Sequence, residues 1–250
     1  VSVFPRYECW KVLGAVGDMK SKLKIGVIGA GNIGTALVHH FTRLGHDVVV
    51  ANSRGPETLS QLAKETGARP VTVDEAPRGR DLVVVTIPEG KIPQLPAGLF
   101  RNSPPNQVVI DTGNYYPQQR DGKIDSIENG MVESRWVEQQ IGHPVIKVFN
   151  NIYAKHLLEF GKPPGTAARI ALPVSGDDPT AKKLVMELVN DMGFDPVDVG
   201  GLDESWRHQP GTPVYAKDFD AAGVKRALAE ASPQRKPEWR AMPASAGKKT

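Results

Sequence analysis

From Lys24 onward, short apolar runs alternate with stretches in which apolar residues recur every three to four positions. Residues 25–28 (Ile-Gly-Val-Ile) form the first run, too short for a helix and almost continuously apolar. That pattern predicts a parallel strand covered on both faces. Residues 32–44 follow with Ile33, Leu37, Phe41 and Leu44 on one helical face, and Gly45 supplies the stop. Residues 47–51 predict a second strand. Pro56 suits the first turn of the next helix, and Gly67 closes it. Further strands are predicted at 71–73, 82–87, 108–111 and 144–149. This alternation predicts an α/β fold, a Rossmann doubly wound parallel sheet with right-handed crossovers.

Two segments break the rhythm. Residues 115–129 are polar and rich in turn formers, which predicts an excursion from the sheet. After Asn150 the elements become sparser. Residues 168–174 and 196–199 read as strands, and a helix over 180–192 carries Leu184, Leu188 and Met192 on one face. Asp177 and Asp178 before it suit the helix dipole. This part predicts a small C-terminal lobe. The expected division is an N-terminal extension at 1–22, a Rossmann domain at 23–152, the lobe at 153–230, and a disordered tail at 231–250 rich in Pro, Ala, Ser, Lys and Arg.

Composition narrows the function. The net charge is only +3, and Lys and Arg are scattered, so a nucleic-acid-binding face is not expected. A small positive charge does suit an anionic ligand. Cys9 is the single cysteine, which excludes an intrachain disulfide and a metal cluster held by cysteines. It favours a reducing, cytoplasmic setting. The apolar runs are strand-sized, so no membrane span is expected. The neighbours His39 and His40 point apart on a helix and cannot share a metal.

The candidate chemistry lies between the first strand and first helix. Gly29-Ala30-Gly31-Asn32-Ile33-Gly34 matches G-x-G-x-x-G in the context where that pattern binds a dinucleotide. Gly29 permits the tight turn, Gly31 admits the pyrophosphate, and Gly34 lets helix and strand approach. The helix N-terminus offers free N–H groups to the phosphates. About 20 residues on, folds that prefer NAD carry a carboxylate for the ribose. Here Asn52, Ser53 and Arg54 stand there instead. A hydroxyl and a guanidinium suit a 2′-phosphate, so the expected cofactor is NADP(H).

These residues, with Thr86-Ile87-Pro88, Phe149-Asn150-Asn151-Ile152, and Pro173-Val174-Ser175-Gly176-Asp177-Asp178, resemble the F-420-dependent NADP reductase family over roughly residues 23–205. The chain is also similar to the cytosolic reductase domain of the STEAP ferric reductases. The resemblance implies hydride transfer between NADPH and a flat tricyclic carrier such as F420, FMN or FAD. Such chemistry needs position and stacking rather than a strong acid or base.

On that basis Thr86, Ile87 and Pro88 are expected along the nicotinamide ribose. Asn114 is expected to reach the cofactor. Asn150 would hydrogen-bond the carboxamide or acceptor, and Ile152 would set ring spacing; both are positioning roles. Tyr115 or Tyr116 would stack on the acceptor, Trp206 would pack on its ring, and Arg207 would clamp an anionic tail. Each of the last group also reads as an ordinary turn or packing residue. Two other functions stay open: a reductase of a small carbonyl or imine, with Tyr153, Lys155 or His208 as proton donor, and an NADPH sensor without turnover. The small lobe has few residues for a core of its own, which favours a homodimer.

Overall fold

The computed structural model describes residues 22–242. Residues 1–21 of the expected N-terminal extension, Cys9 among them, and the last eight residues of the expected tail therefore lie outside the described residues. Eight strands form one sheet in the order β3-β2-β1-β4-β5-β6-β7-β8. They are β1 (Lys24–Ile28), β2 (Asp47–Ala51), β3 (Arg69–Pro70), β4 (Leu82–Val85), β5 (Val108–Asp111), β6 (Ile146–Lys147), β7 (Ala171–Ser175) and β8 (Asp195–Gly200). All neighbouring pairs are parallel except β6 with β7. The chain reverses direction from β1 at the β3-to-β4 crossover, so a crevice opens beyond the C-terminal ends of β1 and β4.

The near-continuous apolar strands are explained by two covered faces. Ile25, Val27, Val48, Val50, Leu82, Val84, Val108 and Ile110 enter one core with helix α1 (Asn32–Arg43) and helix α6 (Pro179–Asp191). Val83, Val85 and Val109 alternate to the other face, beneath Trp136 and Val137 of helix α4 (Glu133–Ile141). The period of two thus sorts each strand between two helical layers.

Several expectations change in detail. The strand expected at 71–73 is β3 at Arg69–Pro70, at the sheet edge where proline is tolerated. The helix opened by Pro56 begins as a 3-10 turn (Pro56–Leu59), continues as α2 (Ser60–Thr66), and ends at Gly67 with φ +78°. Leu44, expected on the buried face of α1, is 39% exposed, because the helix ends one residue before it. The excursion after β5 holds a turn at Pro117–Asp121 and helix α3 (Asp125–Glu128), and helix α5 (Ala154–Glu159) follows β6.

The C-terminal region is not a separate lobe. β7 and β8 extend the same sheet, and Leu172, Val174, Val185, Leu188 and Phe194 belong to the same core as α1. A satellite core of Ala171, Val197, Val214, Val224, Ala227 and Leu228 holds helix α7 (Ala221–Ala229) against β8. Residues 231–242, expected to be disordered, pack back on the domain. Arg235 pairs with Glu133 at 2.5 Å and Arg240 with Glu128 at 3.3 Å. Two buried carboxylates needing partners fix a segment whose composition alone reads as a tail.

Candidate functional site

The glycine turn has the geometry of a dinucleotide cradle. Gly29 has φ +113°, and a Cβ there would lie 2.2 Å from the Thr86 carbonyl oxygen. A Cβ on Gly34 would lie 2.0 Å from the Gly29 carbonyl oxygen. Both positions exclude any side chain. Gly31 differs: a Cβ there would meet nothing within 4 Å. A side chain there would project into open space at the N-terminus of α1. Gly31 also N-caps α1 with no side-chain cap, and no acidic residue occupies the first helical turn. The N–H groups at that helix end remain available to an anion.

Thr86 and Ile87 lie against this turn, since Thr86 Cγ2 and Ile87 Cγ2 are each 2.9 Å from the Cβ positions tested at Gly34 and Gly29. Both residues and Pro88 stay partly exposed at the end of β4. Asn52 shapes the loop after β2: its Oδ1 accepts from the Arg54 N–H at 2.9 Å, and its Nδ2 donates to Thr58 Oγ1 at 2.9 Å. Ser53 and Arg54 are exposed. Arg54 has no ion pair among the described residues, so its guanidinium is free for a phosphate.

Beyond β5 lies a buried ionic cluster. Lys147 is completely buried, and its Nζ donates to Asp111 Oδ2 at 2.9 Å and to the Gly113 carbonyl at 2.7 Å. Asp111 Oδ2 also accepts from Ser134 Oγ at 2.8 Å, while Oδ1 accepts from the Gly113 N–H at 2.7 Å. Burial alone would lower the lysine's pKa. The Asp111 carboxylate, bonded to it, and the nearby Glu133 carboxylate outweigh that and hold the ammonium charged. The pair thereby pins the turn that presents Asn114.

Glu89 and Glu133 are also fully buried. Glu133 is matched by Arg235 and accepts from the Tyr115 N–H at 3.2 Å. Neither carboxyl oxygen of Glu89 has a hydrogen-bond partner among the described residues. Burial, then the Glu133 charge, lifts its pKa well above the usual range. With Asp111 set against Lys147 and Glu133 against Arg235, the cluster is neutral only when Glu89 carries a proton.

A hydrogen-bonded chain runs alongside. His208, buried at 0% exposure, contacts Ser175 Oγ through Nε2 at 2.9 Å and Asn150 Oδ1 through Nδ1 at 2.9 Å. Burial, then Lys147, pulls its pKa down to about 3, so it is a neutral imidazole. Asn150 Nδ2 donates to the His208 carbonyl at 2.7 Å and to Asn114 Oδ1 at 3.1 Å. Asn114 Nδ2 donates to the Asn150 carbonyl at 2.8 Å and to the Tyr215 hydroxyl at 3.5 Å. The Tyr215 and Tyr116 hydroxyls are hydrogen-bonded to each other. Phe149, just before Asn150, is buried with φ +65°, a strained backbone held in place by its surroundings.

The structure thus brings Gly29, Gly31, Gly34, Thr86, Ile87 and Pro88 together, with Asn52, Ser53 and Arg54 at the end of the neighbouring strand β2. It alters other expectations. Tyr115 is fully buried, its hydroxyl accepts from the Ile124 N–H at 2.9 Å, and Arg235 covers its ring; it cannot stack on an acceptor. In the turn after β5 Tyr115 is buried and Tyr116 is left half-buried. The Asn150 amide is engaged within the protein rather than free for a carboxamide. Ile152 joins the main core at 7% exposure. Arg207 binds Glu204 at 2.6 Å, the Leu228 carbonyl at 3.3 Å and the face of Trp206, so its fork is internal. Trp206 instead lines a cavity of about 590 Å³ with Met131, Gln209, Pro213 and Arg235, apart from the glycine turn.

Lys147, Glu89, Ser175 and Tyr215 are site residues that sequence reasoning missed. A lone lysine inside the apolar run 144–149 was the readable signal, because a charge in a covered strand needs a buried partner.

A strand-bound glycine turn, an uncapped helix N-terminus and a guanidinium in place of the ribose carboxylate define a dinucleotide-binding protein of the NAD(P)-dependent oxidoreductase class. The family described as "NADP oxidoreductase coenzyme F420-dependent" matches residues 24–115. The hypothetical protein SMa0349 of Sinorhizobium meliloti is 30% identical, with a TM-score of 0.67, over 79% of this chain and 95% of that one. The chain belongs to this family of F420-dependent NADP reductase-like proteins. A candidate F420-dependent NADP reductase from Arthrobacter sp. FB24 shares the fold, with a TM-score of 0.57 and 22% identity over 72% of this chain and 86% of that one. The Escherichia coli (strain K12) protein YjhV is 52% identical over 66 residues, 26% of this chain. The match spans about half (48%) of the length of that relative. Among the described residues no helix is long and apolar enough to cross a membrane, and no cluster of His, Cys, Asp and Glu could hold a metal.

Proposed function

We propose that this chain is an NADPH-dependent oxidoreductase that transfers a hydride between the nicotinamide and a flavin or deazaflavin of the F420, FMN or FAD type. The observation that carries the reading is the open space at Gly31 over the uncapped end of α1, with the unpaired Arg54 at the end of the neighbouring strand. NADP(H) supplies the hydride when bound. The chain's own residues hold and orient. Helix N–H groups bind the pyrophosphate, Ser53 and Arg54 the 2′-phosphate, and Thr86 to Pro88 border the ribose. The Asp111–Lys147 pair keeps the 111–114 turn rigid beside them. A homodimer in the cytoplasm fits this reading, and light scattering tests the mass.

The experiment is NADPH oxidation followed at 340 nm against F420, FMN, FAD and riboflavin, with NADH alongside. Turnover with one carrier and little with NADH supports the proposal. The variant Arg54→Asp is expected to weaken NADPH binding about 10- to 100-fold and to leave NADH unchanged or improved. NADPH binding without turnover on any carrier would remove the acceptor half of the reading.

A further inference from the structure

We propose that the Tyr116–Tyr215 hydroxyl pair donates a proton to the substrate, giving this site a second activity, the reduction of a small polarised C=O or C=N compound. The proposal rests on the reading above only for the source of the hydride.

Two phenols carry two O–H hydrogens. One lies between the two oxygens, whichever ring donates it. Among the described residues, the only other hydrogen-bond partner of either oxygen is Asn114 Nδ2, which is itself a donor. No acceptor among the described residues takes the second hydrogen. The direction of the Asn114 amide is fixed by its other bond, since the same nitrogen donates to the Asn150 carbonyl. Asn150 is oriented in turn by its donation to the His208 carbonyl. His208 is neutral, so with Nε2 accepting from Ser175 its Nδ1–H points at Asn150 Oδ1. Ser175, His208, Asn150 and Asn114 thus each direct one hydrogen along the chain toward the tyrosines, while the two amides also donate back to the His208 and Asn150 carbonyls.

The same arrangement suits the state after donation. A phenolate on Tyr116 would accept from Tyr215, whose oxygen in turn accepts from Asn114, and Arg120 lies 5.0 Å from the Tyr116 ring centre. Burial keeps both hydroxyls protonated at rest. A hydride acceptor of the flavin type has no need of such a device, whereas an alkoxide or amide anion formed from a carbonyl or imine does.

The location is consistent. Tyr116 follows the turn after β5, and the Ala216 N–H ties the Tyr215 segment to the Asn151 carbonyl after β6 at 2.9 Å. Both tyrosines therefore stand beyond the C-terminal strand ends, where ligands bind in open α/β sheets. In the step, the substrate carbon takes a hydride, with its two electrons, from a reduced nicotinamide dinucleotide. The C=O or C=N π electrons become the lone pair that takes the tyrosine proton. The products are an alcohol or amine and the oxidised dinucleotide. Water reprotonates the phenolate.

The test uses the described protein with NADPH, cyclic imines such as 1-pyrroline, small ketones, and FMN and F420 alongside. Wild type is expected to reduce an imine or ketone. Tyr116→Phe and Tyr215→Phe are each expected to lower that kcat at least about 100-fold. The KM for NADPH should change less than about twofold, so that the loss falls on kcat, and the alkaline limb of the kcat profile should disappear. A readout independent of turnover is ultraviolet titration of tyrosinate at 295 nm without NADPH. Tyr116→Phe is expected to lower the pH at which Tyr215 ionises. Imine and ketone inertness of wild type, full kcat in both Phe variants, or an unmoved Tyr215 titration would each overturn the proposal. Flavin or F420 turnover without imine or ketone turnover would overturn it and leave the reading of the preceding subsection standing. Inertness toward every acceptor would overturn both.

Discussion

The Trp239 indole packs against Tyr215 with 6.0 Å between ring centres, and against Tyr116 at 5.9 Å. A residue from the segment whose composition reads as a tail therefore braces the two tyrosines from outside. Gly211 leaves room for it: with φ +88°, its Cβ would lie 2.5 Å from Trp239 Cδ1.

Trp239→Ala should consequently loosen residues 231–242. The half-buried ring is expected to contribute about 2 kcal/mol, below the 3–5 of a fully buried tryptophan. The expected outcome is a Tm lower by roughly 4–8 °C, with faster hydrogen exchange confined to 231–242 and the 116–121 turn. Unchanged exchange there would mean that the ion pairs of Arg235 and Arg240 hold the segment without the indole.

Gly31 and Gly34 should separate folding from binding. Gly31→Ala adds a methyl to empty space at φ −78°, so stability should be preserved. Its NADPH affinity is expected to fall at least about 10-fold, because the methyl occupies the phosphate approach. Gly34→Ala drives a methyl onto the Gly29 carbonyl and is expected to destabilise the fold by about 1–3 kcal/mol. Urea unfolding and NADPH fluorescence titration on both variants check the contrast. Equal stability loss in the two would contradict it.

Glu89 should make stability depend on pH. Its carboxyl keeps a proton in the folded chain at pH values where the unfolded carboxyl, with the ordinary value of 4.5, has lost it. The folded state then binds more protons, so stability declines as pH rises above 4.5, by roughly 1 kcal/mol per unit until the folded pKa is passed. Glu89→Gln keeps a neutral side chain and should lack this decline. Its advantage over wild type should grow from pH 5 to pH 8 in urea unfolding. Parallel curves would show that Glu89 is ionised in the folded protein.

His208 should act in the opposite sense. Its folded pKa of about 3 lies below the ordinary 6.5, so the unfolded chain takes up a proton first as pH falls. Stability should drop by a few kcal/mol between pH 6.5 and pH 3. The two slopes oppose each other between pH 4.5 and 6.5. The Glu89→Gln background isolates the histidine, and adding His208→Gln should flatten the remaining slope. A slope that survives the second substitution would assign it to other groups.

The sequence by itself determined the parts that depend on neighbours along the chain. Apolar runs placed β1, β2, β4 and β5, because a strand covered on both faces has almost no polar positions. The spacing of Gly29, Gly31 and Gly34 marked the dinucleotide turn, since turn, close approach and helix packing act within six residues. Arg54, three residues beyond the end of β2, is the local feature on which the proposed 2′-phosphate contact rests. Only the tertiary structure decided the rest. Whether β7 and β8 form a lobe or extend the sheet depends on pairing across the single Lys147–Ser175 register. Tyr116 and Tyr215 are 99 residues apart, and His208 reaches Asn150 across 58. Side chains at that separation meet through packing, which leaves no local pattern to read. The buried charges show the same division. A lysine in an apolar strand is visible in the sequence, but Asp111 as its partner, and the missing partner of Glu89, exist only once the fold has removed the water.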